Sequence, residues 1–203
     1  MELQNFTTRL LLASRSPRRA DLLRAAGFEF DVCAADVDES VRPGESPAEY
    51  VKRLASAKSE AAAILKRCAT REIAIVAADT SVVVDHVILG KPLDDEDAAA
   101  MLRRLSARSH EVMTGLSVRR DGHEIRHVET TTVHFAPLNE HDIAWYVRSG
   151  EGRDKAGAYA IQGLASRFIP RIEGSYSNVV GLPIAAVCEL IRQLPPGQRL
   201  KAD

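Results

Sequence analysis

Hydrophobic and polar positions divide the chain into short apolar runs and longer segments with helical periodicity. Residues 10–13 form an apolar run of the kind that is buried in a parallel strand. The run ends at Ser14-Arg15-Ser16-Pro17, where Ser16 is suited to cap a helix and Pro17 to occupy its first position. The helix that follows has an apolar face and ends at Gly27. The pattern therefore begins with a strand and a helix.

The same periodicities predict an alternation of strands and helices over the rest of the chain. Further strands are predicted at 28–34, 73–76, 81–84, 87–89, 111–119 and 124–135, and further helices are begun or capped by Ser46, Asp94, Asn139 and Pro183. The helix that begins at Ser46 is expected to extend to about Lys66, with Leu54, Ala57, Ala61 and Leu65 facing inward. Because Asp121-Gly122 indicates a hairpin among these elements, the predicted fold class is α/β with a mixed sheet.

The composition mainly excludes some kinds of binding partner. Across 203 residues, 27 lysines and arginines offset 28 aspartates and glutamates, and only 5% of residues are aromatic, so we expect no nucleic-acid partner. The apolar run 73–78 is far shorter than the ~20 residues that span a bilayer, and residues 1–5 do not resemble a secretion signal. Three isolated cysteines, Cys33, Cys68 and Cys188, are typical of a reducing compartment. We therefore expect a single cytoplasmic domain with no membrane partner.

The segment from Ser14 to Arg19 is the first candidate for binding chemistry. Arg18 and Arg19 fall in the first turn of the predicted helix, where the helix dipole favours negative charge. An anion would relieve that conflict, and free backbone N–H groups, hydroxyls and guanidinium groups together suit phosphate oxygens. The alternative is that both arginines are solvated or pair with the acidic loop near Asp38. The pattern favours a phosphate site.

Asp79, Lys91 and Lys58 are candidates because of what surrounds them. Asp79 follows an apolar strand, where a carboxylate must be paired, bind a metal or lie in a cleft, unless it caps a turn. Lys91 stands between Gly90 and Pro92, which would hold its ammonium group in one direction. Lys58 lies beside an alanine-rich helix face, from which it can reach a cleft or remain solvated.

The acidic segment Asp36-Val37-Asp38-Glu39 offers oxygen ligands of the kind that Mg²⁺ and Mn²⁺ prefer, unless the loop is simply solvated. It also loosely resembles the nucleophile motif of haloacid-dehalogenase-type phosphatases, although the stretch before Asp36 is interrupted by Asp31 and two alanines. Farther along the chain, Gln162 has an amide that can read a nucleobase edge or satisfy nearby backbone groups.

Taken in order, these segments resemble the Maf family of nucleoside triphosphate pyrophosphatases. The matching motifs are LASRSPRR (12–19), ADT (78–80), GKP (90–92), MLRRLS (101–106), DKAGAYAIQG (154–163), GSY (174–176) and VVGLP (179–183). The resemblance covers about residues 9–193. It implies a Maf/inosine-triphosphatase-like fold, in which a twisted mixed sheet is flanked by helices and a cleft lies between two lobes. Within the family, residues 154–163 resemble the branch that acts on dTTP and UTP, with Ala160 where that branch usually has glycine.

The resemblance also implies a reaction and a set of site residues. The reaction is hydrolysis between the α- and β-phosphates of dTTP or UTP, with CTP and modified pyrimidine nucleotides as further candidates, and it requires Mg²⁺ or Mn²⁺. Asp79 matches the proton acceptor, and the specificity positions are matched by Arg18, Thr80 and Gln162. We predict that phosphate is bound by Ser14, Arg18, Arg19, Lys58 and Lys91, and that a metal is held by Glu39 and Asp79.

A second class of function stays open on the sequence. The family is named after a role in septum formation, so the chain is also compatible with a nucleotide-binding regulator that acts through a cell-division protein and has little turnover. A homodimer is compatible with either function. Release of pyrophosphate distinguishes the two, because a regulator would bind nucleotide without consuming it.

Overall fold

The computed structural model describes residues 9–65 and 73–195. Its strands are β1 (Leu10–Leu12), β2 (Phe30–Val32), β3 (Ala74–Val84), β4 (Val87–Leu89), β5 (Ser109–Arg120), β6 (His123–His134) and β7 (Arg171–Glu173). Its helices are α1 (Pro17–Ala25), α2 (Pro47–Leu65), α3 (Asp95–Leu105), α4 (Glu140–Ser149), α5 (Tyr176–Val180) and α6 (Ile184–Gln193), with two short 3₁₀ helices at Ala156–Ala158 and Leu164–Phe168. Predictions made for residues 1–5, Lys66 and Cys68 lie outside the described residues.

The seven strands form one mixed sheet in the order β2-β1-β3-β5-β6-β7, and β4 pairs with the far end of β3. β1 is parallel to β2 and β3, whereas β5 is antiparallel to β3 and to β6. The predicted α/β class and mixed sheet are therefore confirmed. No helix in the described parts of the chain has the length and apolar character that crossing a membrane requires.

Successive side chains of β1 and of the first half of β3 enter two different cores. Leu10 and Leu12 belong to the core that α1 and α6 cover, whereas Leu11 and Ile75 belong to the core that α2 covers. Because helices cover both faces of these strands, the residues that point to either face are apolar. This explains why the sequence shows continuous apolar runs there.

A further core lies at the other end of β3 and forms the centre of a second lobe. It contains Val82 and Val84 of β3, together with Leu102 of α3 and Tyr146 of α4. A cleft lies between this lobe and the lobe built around β1, as expected. β3 crosses from one lobe to the other and connects them.

β3 continues through Asp79, so the prediction of a strand that ends before this residue is wrong. The strand is paired with β5 from Ile75 to Val83, with Asp79 opposite Gly115. Pairing with β5 satisfies the backbone, and the polar side chains project into the cleft instead of an apolar core, so a charged residue does not interrupt the strand. The sequence pattern also fails to predict β7 and α5.

Ser46 caps α2 as predicted, and it forms a capping box in which the backbone N–H of Ser46 donates to Glu49 and the Ser46 hydroxyl accepts from the N–H of Glu49. Of the residues predicted to face inward, Leu54 is buried and Ala57 and Ala61 are partly buried, whereas the prediction is wrong for Leu65, which is 63% exposed. The helix buries Val51, Leu54, Ala55, Ser59 and Ala62. α2 lies very close to β5, since a Cβ atom at Gly115 would lie 2.2 Å from the carbonyl oxygen of Val51. Only glycine allows α2 to lie this close to β5.

Candidate active site

A cavity of about 820 Å³ lies between the two lobes. Its floor is the middle of β3, and it lies beyond the carboxyl end of β1, where ligand crevices form in open α/β sheets. The residues that match the family's site positions all line this cavity, namely Ser14, Arg18, Arg19, Glu39, Lys58, Asp79, Thr80, Lys91 and Gln162. The fold therefore brings together segments that are far apart along the chain, while the individual roles of these residues remain predictions.

β3 presents two adjacent polar side chains to opposite sides of the sheet. Side chains alternate between the two faces of a strand, so Asp79 lies on the same face as Ile75 and points toward α2. Thr80 lies on the other face and points toward α1. Helices from both faces of the sheet therefore contribute to the same cavity floor.

Lys58 joins the two carboxylates that the sequence proposed as metal ligands. Its ammonium group lies 2.7 Å from a carboxylate oxygen of Asp79 and 2.6 Å from one of Glu39, and its side chain is only 14% exposed. Burial alone would raise the pKa of Glu39, but the hydrogen bond to Lys58 and the charges of Lys58, Lys91 and Arg19 lower it below its usual value. The two carboxylates thus face a common point, the ammonium group of Lys58.

Arg19 is occupied mainly by the protein itself, which changes its predicted role as a phosphate ligand. Its guanidinium donates to the carbonyl oxygens of Gly181 and Ala78, each at 2.8 Å. It also donates to the hydroxyls of Ser14 at 3.0 Å and Thr80 at 3.1 Å. Four of its five N–H groups are therefore used, and burial lowers its pKa. Arg19 can offer at most one N–H group to a ligand.

This network also accounts for Ser14 and Thr80. The Ser14 hydroxyl accepts from the N–H of Ser16 as well as from Arg19. Thr80 shares a hydrogen bond with Thr114 at 2.9 Å. Both hydroxyls contact the cavity, but their hydrogen bonds are mainly internal, so they define its wall as much as they offer ligand contacts.

Arg18 and Lys91 are the cations most available to a ligand. Arg18 has a side chain that is 31% exposed and lies 3.6 Å from Asp154, which is longer than a strong ion pair. Lys91 is exposed at the cavity rim, and its charge contributes to the lowered pKa of Glu39. A phosphate group would bind these two residues without breaking a short internal contact.

The acidic loop after β2 contributes less than its composition suggested. Asp36 forms an exposed ion pair with Arg15 at 2.9 Å, and Asp38 accepts the N–H of Ser40. Only Glu39 approaches Asp79 through their shared contact with Lys58. Because Asp36 is exposed and lies beyond the end of β2, this geometry does not support the phosphatase alternative.

Gln162 lies in a turn that lines the cavity. The turn is closed by a hydrogen bond from the N–H of Gly163 to the carbonyl oxygen of Ala160. The Gln162 side chain is exposed, and no residue in the described ranges hydrogen-bonds to its amide. Ala160 has no positive φ angle, so its methyl group is accommodated without backbone strain.

The sequence reasoning missed two contributors to the site. Lys155 lines the cavity with a side chain only 16% exposed, and it pairs with Asp154. Gly115 determines how close α2, and with it Lys58, comes to Asp79. The motif around Lys155 was a signal for the first, but the role of Gly115 depends on a long-range contact that the sequence does not reveal.

The residues present fit a divalent cation that is completed by a ligand. Asp79 and Glu39 converge on one point, which Lys58 occupies here. Among the described residues, no three His, Cys, Asp or Glu side chains form a metal-binding group. Two carboxylates are nevertheless enough for Mg²⁺ or Mn²⁺ when phosphate oxygens of a substrate supply further ligands.

The arrangement of charges defines the class of ligand. Cationic side chains from several elements line the cavity alongside the carboxylates, and the amide of Gln162 lines it as well. A mixed α/β fold with this cavity suits a phosphorylated ligand of nucleotide size.

Comparison with known proteins identifies the family. The Maf-like protein model matches residues 9–194, and the chain belongs to this family. It is 50% identical over 189 residues to a dTTP/UTP pyrophosphatase of Geobacter sulfurreducens, with 92% of this chain and 96% of the relative covered. It is also 50% identical over 189 residues to a dTTP/UTP pyrophosphatase of Anaeromyxobacter dehalogenans, with 91% and 93% covered. The Ham1 protein of Staphylococcus aureus shares the fold at a TM-score of 0.52 and 16% identity, with 91% of this chain and 98% of that chain covered.

Proposed function

We propose that this chain hydrolyses dTTP and UTP between the α- and β-phosphates and releases the monophosphate and pyrophosphate. The observation that carries the proposal is that one cavity holds both charged groups and an amide without a partner in the described parts of the protein. Asp79 and Lys58 lie at its floor, Arg18 and Lys91 lack short contacts with the described residues, and the amide of Gln162 lines the same cavity. The curated relatives that share half of the sequence bear the same activity in their names.

The reacting end of the cavity supports a water attack assisted by Asp79. This carboxylate faces the cavity and is held by Lys58, so it can orient a water molecule and accept its proton. Lys58 and Lys91 would then neutralise negative charge on the departing pyrophosphate, and Arg18 would hold a phosphate oxygen. Arg19 would maintain the wall with at most one contact to substrate.

A divalent cation, Mg²⁺ or Mn²⁺, would be held by Asp79 and Glu39 together with phosphate oxygens. When bound, it would supply charge neutralisation at the phosphates and help to activate water. Lys58 would have to release the two carboxylates for this to occur, and the phosphates of the substrate offer its ammonium group another anionic partner.

Gln162 supports the choice of a pyrimidine. Its amide can donate one hydrogen bond and accept another, which matches the O4 and N3–H edge of thymine or uracil. Rotation of the amide would suit cytosine, so CTP belongs in the substrate panel. No observation favours the regulator alternative, whereas a cytoplasmic location, a homodimer and a cell-division partner remain predictions.

The test is an assay of dTTP, UTP, CTP and GTP with separation of all nucleotide products. We expect dTMP and pyrophosphate from dTTP, with no dTDP. Gln162→Ala should lower kcat/KM for dTTP by roughly 5–150-fold while affecting GTP less, because it removes about 1–3 kcal/mol of base recognition. Arg18→Ala should weaken all four substrates. Formation of dTDP and orthophosphate, or a uniform loss for Gln162→Ala, would contradict the proposal.

A further inference from the structure

Two side chains outside the cavity hold the turn that carries Gln162. Tyr146 is 1% exposed in α4, and its hydroxyl accepts the backbone N–H of Ala160 at 3.1 Å. The same hydroxyl donates to Glu151 at 2.7 Å. Neither residue is among those that line the cavity.

Glu151 holds the other end of the same turn. One of its carboxylate oxygens accepts the N–H of Leu164 at 2.8 Å, and the other accepts the N–H of Ala165 at 3.3 Å. The turn from Ala160 to Gly163 therefore has both ends attached to one tyrosine–carboxylate pair. Charge-assisted hydrogen bonds of this kind are stronger than neutral ones.

Gly163 shows how closely the carboxylate approaches the turn. A Cβ atom at this position would lie 1.8 Å from a carboxylate oxygen of Glu151. Any other residue would displace either the carboxylate or the backbone next to Gln162. The φ angle of Gly163 is −136°, which does not require glycine. Glycine is required here because the carboxylate of Glu151 leaves no room for a Cβ atom.

The pair is itself fixed to the rest of the lobe. Tyr146 packs in the core with Phe168, and the two rings meet edge to face at 5.8 Å. Glu151 follows the end of α4, and its own N–H donates to the hydroxyl of Ser149. The attachment points of the turn are therefore set by a packed core and not by the ligand.

We propose that Tyr146 and Glu151 are positioning residues for base selection, acting through the turn that carries Gln162. The inference rests on the proposed function, in which Gln162 reads the base. Without the two attachments the amide would occupy a wider range of positions. Discrimination among bases would then fall more than turnover itself, because the residues around Asp79 are untouched.

The experiment compares Tyr146→Phe, which removes one oxygen atom, with the wild type. The readout is the ratio of kcat/KM for dTTP to kcat/KM for GTP, and we expect it to fall roughly 5–30-fold. Glu151→Gln is a second variant with the same expected direction, in case the first folds poorly. Ser117→Ala is the matched control, because it loses a buried hydroxyl contact to Ser59 away from the cavity and should leave the ratio unchanged.

The double variant with Gln162→Ala separates positioning from general support of the fold. If Tyr146 acts through Gln162, Tyr146→Phe should change the ratio by less than about twofold in the Gln162→Ala background. An equal loss in both backgrounds, or an unchanged ratio in Tyr146→Phe and Glu151→Gln, would overturn the inference. A wild type that hydrolyses dTTP no better than GTP would instead overturn the proposed function and the inference that depends on it.

Discussion

Replacement of Arg19 by lysine should destabilise the protein far more than the same replacement at Arg18. The two arginines are adjacent in α1, and the sequence assigned both to phosphate binding. In the structure Arg19 donates four hydrogen bonds to the protein, two of them to the carbonyl oxygens of Gly181 and Ala78. Arg18 has a single ion pair, with Asp154 at 3.6 Å.

The magnitude follows from the groups that lysine would leave without a partner. Lysine has no planar fork and cannot reach both carbonyl oxygens at once. Loss of two hydrogen bonds to a charged donor corresponds to about 3–6 kcal/mol. For a protein of this size, that lowers Tm by about 6–24 °C. Loss of the Arg18 ion pair costs about 0–1 kcal/mol, since exposed pairs contribute little.

The assay pairs thermal unfolding with dTTP turnover for Arg18→Lys and Arg19→Lys. We expect Arg18→Lys to retain its Tm within about 4 °C and to lose turnover. Arg19→Lys should show the large decrease in Tm. If Arg19→Lys instead keeps the wild-type Tm and loses only turnover, Arg19 is a phosphate ligand and the structural argument is wrong.

Three other changes test separate parts of the site and fold. Asp79→Asn should lower kcat by roughly 10²–10⁴-fold with little change in Tm, and activity within about threefold of wild type would exclude Asp79 as the base. Lys58→Gln should lower turnover but bind Mn²⁺ roughly tenfold more tightly, because it removes a competing positive charge from between Asp79 and Glu39. Calorimetry without nucleotide measures this affinity. An unchanged Mn²⁺ affinity would show that these carboxylates do not hold the metal. His110 is buried, and burial lowers its pKa to about 4. The imidazole of His110 therefore binds a proton more readily in the unfolded chain than in the folded protein. As a result, the free energy of unfolding decreases as the pH falls below about 6.5. Urea unfolding of wild type should therefore lose about 2 kcal/mol more between pH 7 and pH 5 than His110→Gln does, and equal losses would contradict this.

Local signals were sufficient for much of the fold. The capping residues Ser46, Asp94 and Asn139 each accept the predicted backbone N–H, because a cap depends only on residues within one turn. The hairpin at Asp121-Gly122 likewise depends on local conformation, with φ angles of 46° and 81°. Predictions of this kind need no knowledge of tertiary contacts.

Features that depend on long-range contacts could not be predicted from the sequence. The close approach of α2 to β5 depends on Gly115, which is far from α2 along the chain, and periodicity alone predicted that Leu65 faces inward, although it is 63% exposed. The role of Arg19 depends on Gly181, whose carbonyl oxygen comes from the far end of the chain. In the same way, the motifs predicted residues that lie in one cavity, but they did not distinguish residues with free hydrogen-bonding groups from residues such as Arg19 that are hydrogen-bonded to the protein.

The uninterrupted pairing of β3 with β5 has a consequence for how specificity can change. The ladder runs from Ile75 to Val83 and includes the floor of the cavity, so a sharp hinge within it would break backbone hydrogen bonds. Segments outside the ladder, chiefly the loop with Glu39 and the turn with Gln162, are therefore the places where adjustment to a different nucleotide costs least. An engineer who exchanges the turn at 160–165 together with Tyr146 and Glu151 should be able to redirect base preference while the hydrolytic floor stays as it is.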